Sequence, residues 1–237
     1  MKNIKRIILC CMLCITAQAA SAQALIALVF GGKIKNDNIK LGIYLGGSGS
    51  WITDGDGQQP RIGLAFGAYT VFKLKPKLDL CMYIIMKSPK GAKQLNYTER
   101  LVQPADSGLV GADLNRNFTY INISPILRYN ITPSFALGFG PQLAGRMHAK
   151  DNFTRDVNDG TLMYMHNVKD YIKLVDAGLT FDMQYTLMKG EGLRLNLQYN
   201  MGLFNIYNGE SGLNGQNRQI LVGVGIPIGR KKPDTAH

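Results

Sequence analysis

Between Arg61 and Met86 the chain reads "RIGLAFGAYTVFKLKPKLDLCMYIIM", alternating on both sides of Lys75-Pro76-Lys77. Ile62, Leu64, Phe66, Ala68, Thr70, Phe72 and Leu74 share one face, which Leu78, Leu80, Met82, Ile84 and Met86 continue after the turn. The other face holds Gly63, Ala65, Gly67, Tyr69, Val71 and Lys73, then Asp79, Cys81, Tyr83 and Ile85. A period of two is that of a β-strand, so this stretch is a hairpin of long strands. Such a hairpin needs one medium for its bulky apolar face and another for its small and polar one.

The same alternation recurs along the chain and predicts eight strands. They lie near Ile39–Ser48, Arg61–Leu74, Leu78–Met86, Phe118–Ile131, Phe135–Met147, Tyr171–Leu187, Leu193–Tyr207 and Ile220–Gly229. Most exceed the five or six residues usual in soluble proteins and reach the nine to eleven of a tilted membrane-crossing strand. Short and long connections take turns. Lys75–Lys77, Thr132–Ser134 and "MKGEG" at Met188–Gly192 are short; Gly49–Pro60, Lys87–Asn117, His148–Asp170 and Asn208–Gln219 are long. The expectation is an all-β fold, an eight-stranded antiparallel up-and-down transmembrane β-barrel with short turns at one end.

Face composition orients the barrel. One face carries Ile43, Leu45, Ile123, Leu127, Leu137, Phe139, Phe181, Met183, Leu195, Leu197, Val222 and Val224, and Lys173 at a strand end is its one charge. The other is small or amidic, with Gly42, Gly46, Gly138, Gly140, Gln142, Gly178, Gln184, Asn196, Gln198 and Asn200 among charges of both signs. An eight-stranded barrel is just wide enough for side chains to fill, which suits the second face inside and the first in lipid. Phe72, Tyr129, Phe135 and Tyr185 lie on the lipid face near the short turns, as an interfacial aromatic girdle does.

The start of the chain points to export. "MKNIKRIILCCMLCITAQAASAQ" has a basic head, an apolar run and Ala20-Ser21-Ala22, the layout of a cleaved signal peptide over residues 1–22. Residues 23–37 form an N-terminal periplasmic segment whose apolar run fits a short helix or a strand, a rim helix being favoured; the barrel covers 38–230 and a tail 231–237. Loss of Lys2, Lys5 and Arg6 with the signal takes the formal charge from +11 to +8. Cys81 is then the one cysteine, so stability rests on burial and backbone pairing. An exported chain without an aromatic-basic cluster is no nucleic-acid binder, and anionic lipid heads are the natural partner for its charge.

The segments "YINISPILRYNITPSFALGFGPQLAG", "DAGLTFDMQYTL" and "LRLNLQYNMGLFNI" resemble the PorT-like family of small outer-membrane β-barrel proteins. The resemblance covers most of the mature chain and implies an integral outer-membrane protein, with no catalytic signature. The chain departs from the pattern at its end, "GVGIPIGRKKPDTAH", where such barrels commonly close on a terminal aromatic.

The inward charges form the candidate site. Lys73, Asp79, Arg128, Asp182 and Arg194 gather near the short turns, and Arg61, Arg146 and Asp176 near the loops; Asp79 and Arg128 lie at similar depth on adjacent strands, as do Arg146 and Asp176. Paired lumen charges read as a structural network rather than an ion path, because unpaired buried charge is strongly disfavoured. His148 and His166 have no Ser-His-acid pattern beside them, so an enzyme is not expected. "TDGDG" at Thr53–Gly57 and "DVNDG" at Asp156–Gly160 read as turns rather than calcium loops, and no cofactor is expected. The expected role is a non-enzymatic barrel embedded in outer-membrane lipid, its long loops contacting a protein or ligand. The alternatives are a soluble lipocalin-type ligand carrier, with the faces reversed, and a membrane-embedded lipid-modifying enzyme.

Overall fold

The computed structural model describes residues 39–228 apart from 56, 97–98, 103–110, 158–159 and 191. The expected signal peptide (1–22), the segment 23–37 and the tail 231–237 lie outside the described residues, as do parts of both Asp-Gly turns. Nine strands follow in order: β1 (Ile39–Ile52), β2 (Gln59–Lys75), β3 (Leu78–Leu95), β4 (Asp113–Asn130), β5 (Phe135–Val157), β6 (Gly160–Asn167), β7 (Val175–Thr186), β8 (Arg194–Gly202) and β9 (Asn217–Ile228). A single helical turn, α1 (Leu187–Gly190), makes the "MKGEG" connection.

All except β6 form a closed ring. The sheet runs β4-β3-β2-β1-β9-β8-β7-β5, and β4 also pairs with β5 to close it. The first and last strands join antiparallel from Leu41↔Ile228 to Ile52↔Asn217. Closure leaves the ring no open edge. Among the described residues the ninth strand, β6, pairs with β5 alone and prolongs it into a hairpin where a long loop was expected.

The faces fall as the alternation predicts. Leu45, Leu127, Leu137, Phe181, Leu197 and Val222 are exposed on the outer wall, whereas Tyr44, Asn122, Arg128, Gln142, Asp182 and Gln198 are buried inside. A lipocalin-type carrier needs the reverse orientation.

Strand lengths depart from the sequence expectation at two bulges. Register shifts between Ile85 and Ser88 on β3, where Met86 and Lys87 both stay exposed while Ser88 and Lys90 turn inward. On β5, Thr119 opposes His148 but Tyr120 opposes Arg146, so Met147 is the extra residue. An extra residue flips every later side chain to the other face, which ends an alternation without ending a strand. Between them β4 keeps a single phase, burying Leu114, Arg116, Phe118, Tyr120, Asn122, Ser124, Ile126 and Arg128. Strands β3 to β6 thereby continue past the ring as a loop-side extension. At the other margins, β7 begins at Val175 after a 3-10 turn at Lys169–Tyr171, and β8 stops at Gly202, both later or shorter than the alternation implied.

Two apolar clusters result. One lies low in the ring and packs Tyr44, Tyr69, Val71, Cys81, Tyr83, Ile85, Ile126 and Leu221. Tyr69 occupies the space a side chain at Gly42 would need, since a Cβ there would lie 2.2 Å from its ring. The other cluster joins Leu114, Phe118, Phe153, Val168, Ile172, Ile206 and Tyr207 beneath the extension and its neighbouring loops.

Candidate functional site

Alternation along β4, β7 and β8 aims Arg128, Asp182, Gln184, Asn196 and Gln198 into one tier near the short turns. Arg128 donates from Nη2 and Nε to Asp182 Oδ2 at 2.6 and 2.9 Å, from Nη1 to Gln184 at 2.6 Å and from Nη2 to the Tyr83 hydroxyl at 3.0 Å. Asn196 and Gln198 donate to the second Asp182 oxygen, at 3.2 and 3.1 Å. Asp79 does oppose Arg128 in register, yet its carboxylate accepts from Asn130 at 2.9 Å. The Arg194 guanidinium lies over the Tyr69 ring, 5.0 Å from its centroid. Arg128 thus passes its register partner and lies over Gly138 of β5 to reach a carboxylate two strands away, while Lys73, in register with Asp79, is exposed at the rim of the tier.

Above it lies a web of amides and hydroxyls centred on Gln219. Its Nε2 donates to Ser48 Oγ, Ser88 Oγ and Pro89 O at 2.9, 3.0 and 2.9 Å, and its Oε1 accepts from Asn200 at 3.1 Å. Gln219 is fully buried and spans β9 to β3, so it crosslinks the lumen as the charges below do.

The next tier departs most from the sequence expectation. Asp176 pairs with Lys90, Nζ to Oδ2 at 3.2 Å, and its Oδ2 also accepts from Asn217 at 2.8 Å. Arg146, the expected partner, makes no ion pair among the described residues; its Nε and Nη1 are buried without a hydrogen-bond partner. Lys90 Nζ lies 4.9 Å from the centroid of Tyr120, the residue opposite Arg146 on β4. Arg61 completes the tier by donating from Nη1 to the carbonyls of Lys90 and Phe118, both at 2.7 Å.

In the extension, Arg116 grips Asp151 with two bonds, Nε to Oδ1 at 2.8 Å and Nη2 to Oδ2 at 2.6 Å. It also donates to the Tyr207 hydroxyl and the Glu99 carbonyl, each at 2.9 Å. Burial lowers the Arg116 pKa, but the Asp151 carboxylate outweighs burial and holds the guanidinium above its ordinary value. Burial likewise pushes the Tyr207 hydroxyl up.

Lys90, Arg116 and Asp151 escape a reading by alternation because each lies beyond a bulge or in an expected loop. The detectable signal is Leu114-x-Arg116-x-Phe118-x-Tyr120, where alternation begins four residues before the segment at Phe118. His148 is exposed, and His166 stacks on Tyr164 with centroids 6.2 Å apart. Among the described residues no group of His, Cys, Asp or Glu is arranged to hold a metal ion.

No family model and no curated protein matches the chain. Among solved structures it is similar to Ail, the attachment invasion locus protein of Yersinia pestis, at 9% identity and a TM-score of 0.45, covering 80% of this chain and 98% of that one. It is also similar to Neisserial surface protein A at 9% identity and a TM-score of 0.38, covering 81% and 96%. A third similar structure is the outer membrane protein OprG of Pseudomonas aeruginosa, at 14% identity and a TM-score of 0.36, covering 81% and 95%.

Proposed function

We propose that the chain is an integral protein of the bacterial outer membrane, exported with a cleaved signal peptide, and that it is a non-enzymatic contact protein rather than a pore. The observation that carries the reading is the outer wall. Every ring strand exposes a bulky apolar side chain there: Leu45, Leu64, Ile84, Leu127, Leu137, Phe181, Leu197 and Val222 for β1 to β5 and β7 to β9 in turn. A soluble monomer seldom shows a contiguous apolar patch above a few hundred Å². In hydrocarbon the same wall is at home, and a closed ring satisfies its own backbone. The resemblance to PorT-like proteins points the same way. The bonds of Gln219 from β9 to β3, and the bulk of Arg128 laid over Gly138 toward Asp182, argue against an open channel. The exposed Lys75 and Lys77 at a short turn suit the periplasmic side, which puts the extension outside the cell.

The protein is expected in outer-membrane fractions, resistant to carbonate, with a heat-dependent gel shift from its closed ring. Recovery from the soluble periplasm would reject the membrane reading, and large steady conductance in planar bilayers would reject the closed lumen.

The surface we assign to contact is β6. Between Gly160 and Asn167 it carries no Lys, Arg, Asp or Glu, and it exposes Leu162, Met163 and Met165. Natural edge strands are usually charged or covered, because a bare one templates pairing with another chain. Only an extended peptide matches both the backbone edge and the alternating apolar side chains, so the partner is a protein segment that adds as a strand. A photocrosslinker at Leu162 should trap a partner on intact cells, and Met163→Lys with Met165→Lys should abolish that product. An undiminished product in the charged variant would reject the β6 edge.

A further inference from the structure

We infer that the loop-side tier of the lumen binds a small inorganic anion against Arg146, a site independent of the contact surface on β6. The first observation is charge. Below, the buried Arg128 and Arg194 are matched by Asp79 and Asp182, and the remaining cation there, Lys73, is exposed to solvent at the rim. Above, Arg116 is matched by Asp151. Between them, Arg61, Lys90 and Arg146 turn inward with Asp176 as their one carboxylate among the described residues, and Lys90 already holds it. Confined charge of one sign is costly to leave uncompensated.

The second observation is the state of the donors in the tier. Arg146 Nε and Nη1 are buried without a partner, and one level lower on the same face of β5 so is Nε2 of Gln142, level with Gly178 and outside the tier. Arg61 differs, because its Nη1 is used by two carbonyls. Asp176 Oδ1 is also without a partner, but a carboxylate oxygen attracts a cation, and the tier already has three. The excess charge therefore selects an anion over a cation, and free donors on Arg146 rather than Lys90 set where it sits. Arg146 is partly accessible, unlike Lys90 and Arg116, which gives a small ion a way in.

Bromide is the probe, because it scatters anomalously and resembles chloride in size. Crystals of the full mature barrel grown in bromide should show an anomalous peak in contact with the Arg146 guanidinium. In detergent at constant ionic strength, replacing gluconate by bromide should raise the unfolding midpoint, since an ion bound by the folded state alone stabilises it by mass action. Arg146→Gln should remove both the peak and the bromide response. Asp176→Asn, which removes the tier's one negative charge, should shift the response to lower bromide. No peak at Arg146, or the same bromide response in wild type and Arg146→Gln, would overturn the site. Should Arg146→Gln fail to fold, an Asp176→Asn response no stronger than wild type would overturn it as well.

Discussion

The ring and the extension share strands β3, β4 and β5 but answer to different surroundings. In the ring, each of the eight strands has the same two environments, an apolar exterior and a crowded polar lumen. Beyond the bulges, Phe118, Phe153 and Tyr207 pack in one buried cluster, and both faces are covered at Ser88–Ala92. Each region has a buried Arg–Asp pair, Arg128–Asp182 and Arg116–Asp151, with the same 2.6 Å contact. What differs is what must open to hydrate them. The first can be reached only by breaking a closed ring, whereas the second lies on the extended part of β4 and β5, beyond the ring, bonded to Tyr207 and to the Glu99 carbonyl. Equal geometry therefore conceals unequal coupling to global stability.

Removing one carboxylate from each region tests this most severely. Breaking a buried ion pair from one side costs about 3–5 kcal/mol, because the remaining charge is left uncompensated. Asp182→Ala should show that loss in global unfolding of the barrel in vesicles. Asp151→Ala should leave the folded gel band in place and instead speed proteolysis of the extension. Equal loss of the folded band in both variants would show that ring and extension unfold as one unit.

A single charge on the outside distinguishes the regions next. Leu197 lies in the middle of β8 on the exposed wall, between Met183 and Val222 on neighbouring strands. Leu197→Arg should cost about 2–4 kcal/mol if that wall faces the bilayer midplane. Met163→Arg, on the exposed face of β6, should stay within about 0.5 kcal/mol, as surface substitutions usually do. Urea unfolding of both variants in vesicles measures the contrast. A neutral Leu197→Arg would mean the wall is not in lipid.

The same contrast explains what could be read from the sequence. A hydrocarbon exterior imposes strict period-two alternation, so all eight ring strands and both faces are visible in the residues, as are Arg128, Asp182 and Arg194 as inward groups. Pairing was less legible. Strand order puts Asp79 opposite Arg128, but a guanidinium is long enough to pass over Gly138 to Asp182 two strands away, and only the filled interior decides that choice. The extension was hidden for another reason. "SPKG" at Ser88–Gly91 carries the residues of a turn, yet here it is strand. Pro89 is tolerated beside the bulge, and Gly91 takes a φ of 119° with Arg116 O only 2.1 Å from where its Cβ would stand. Reading those residues as a loop placed Lys90 in solvent, and with it the true partner of Asp176.

The smallest effects lie within β1, where Gly42 and Gly47 have opposite surroundings. A Cβ at Gly42 meets the Tyr69 ring at 2.2 Å, whereas one at Gly47 meets nothing within 4 Å. Tyr69 is 2% exposed and stacks toward Tyr83, with centroids 5.7 Å apart, so it has little room to retreat. Gly42→Ala should therefore destabilise by about 1–3 kcal/mol, the usual range for overpacking a filled core. Gly47→Ala adds a methyl to the open outer wall and restricts the unfolded chain, which should stabilise by about 0.4–1 kcal/mol. Unfolding midpoints of the two variants in the same vesicles decide the matter. No destabilisation by Gly42→Ala would mean that Tyr69 does not fill the lumen against β1, and destabilisation by Gly47→Ala would mean that the outer wall at Gly47 is not open.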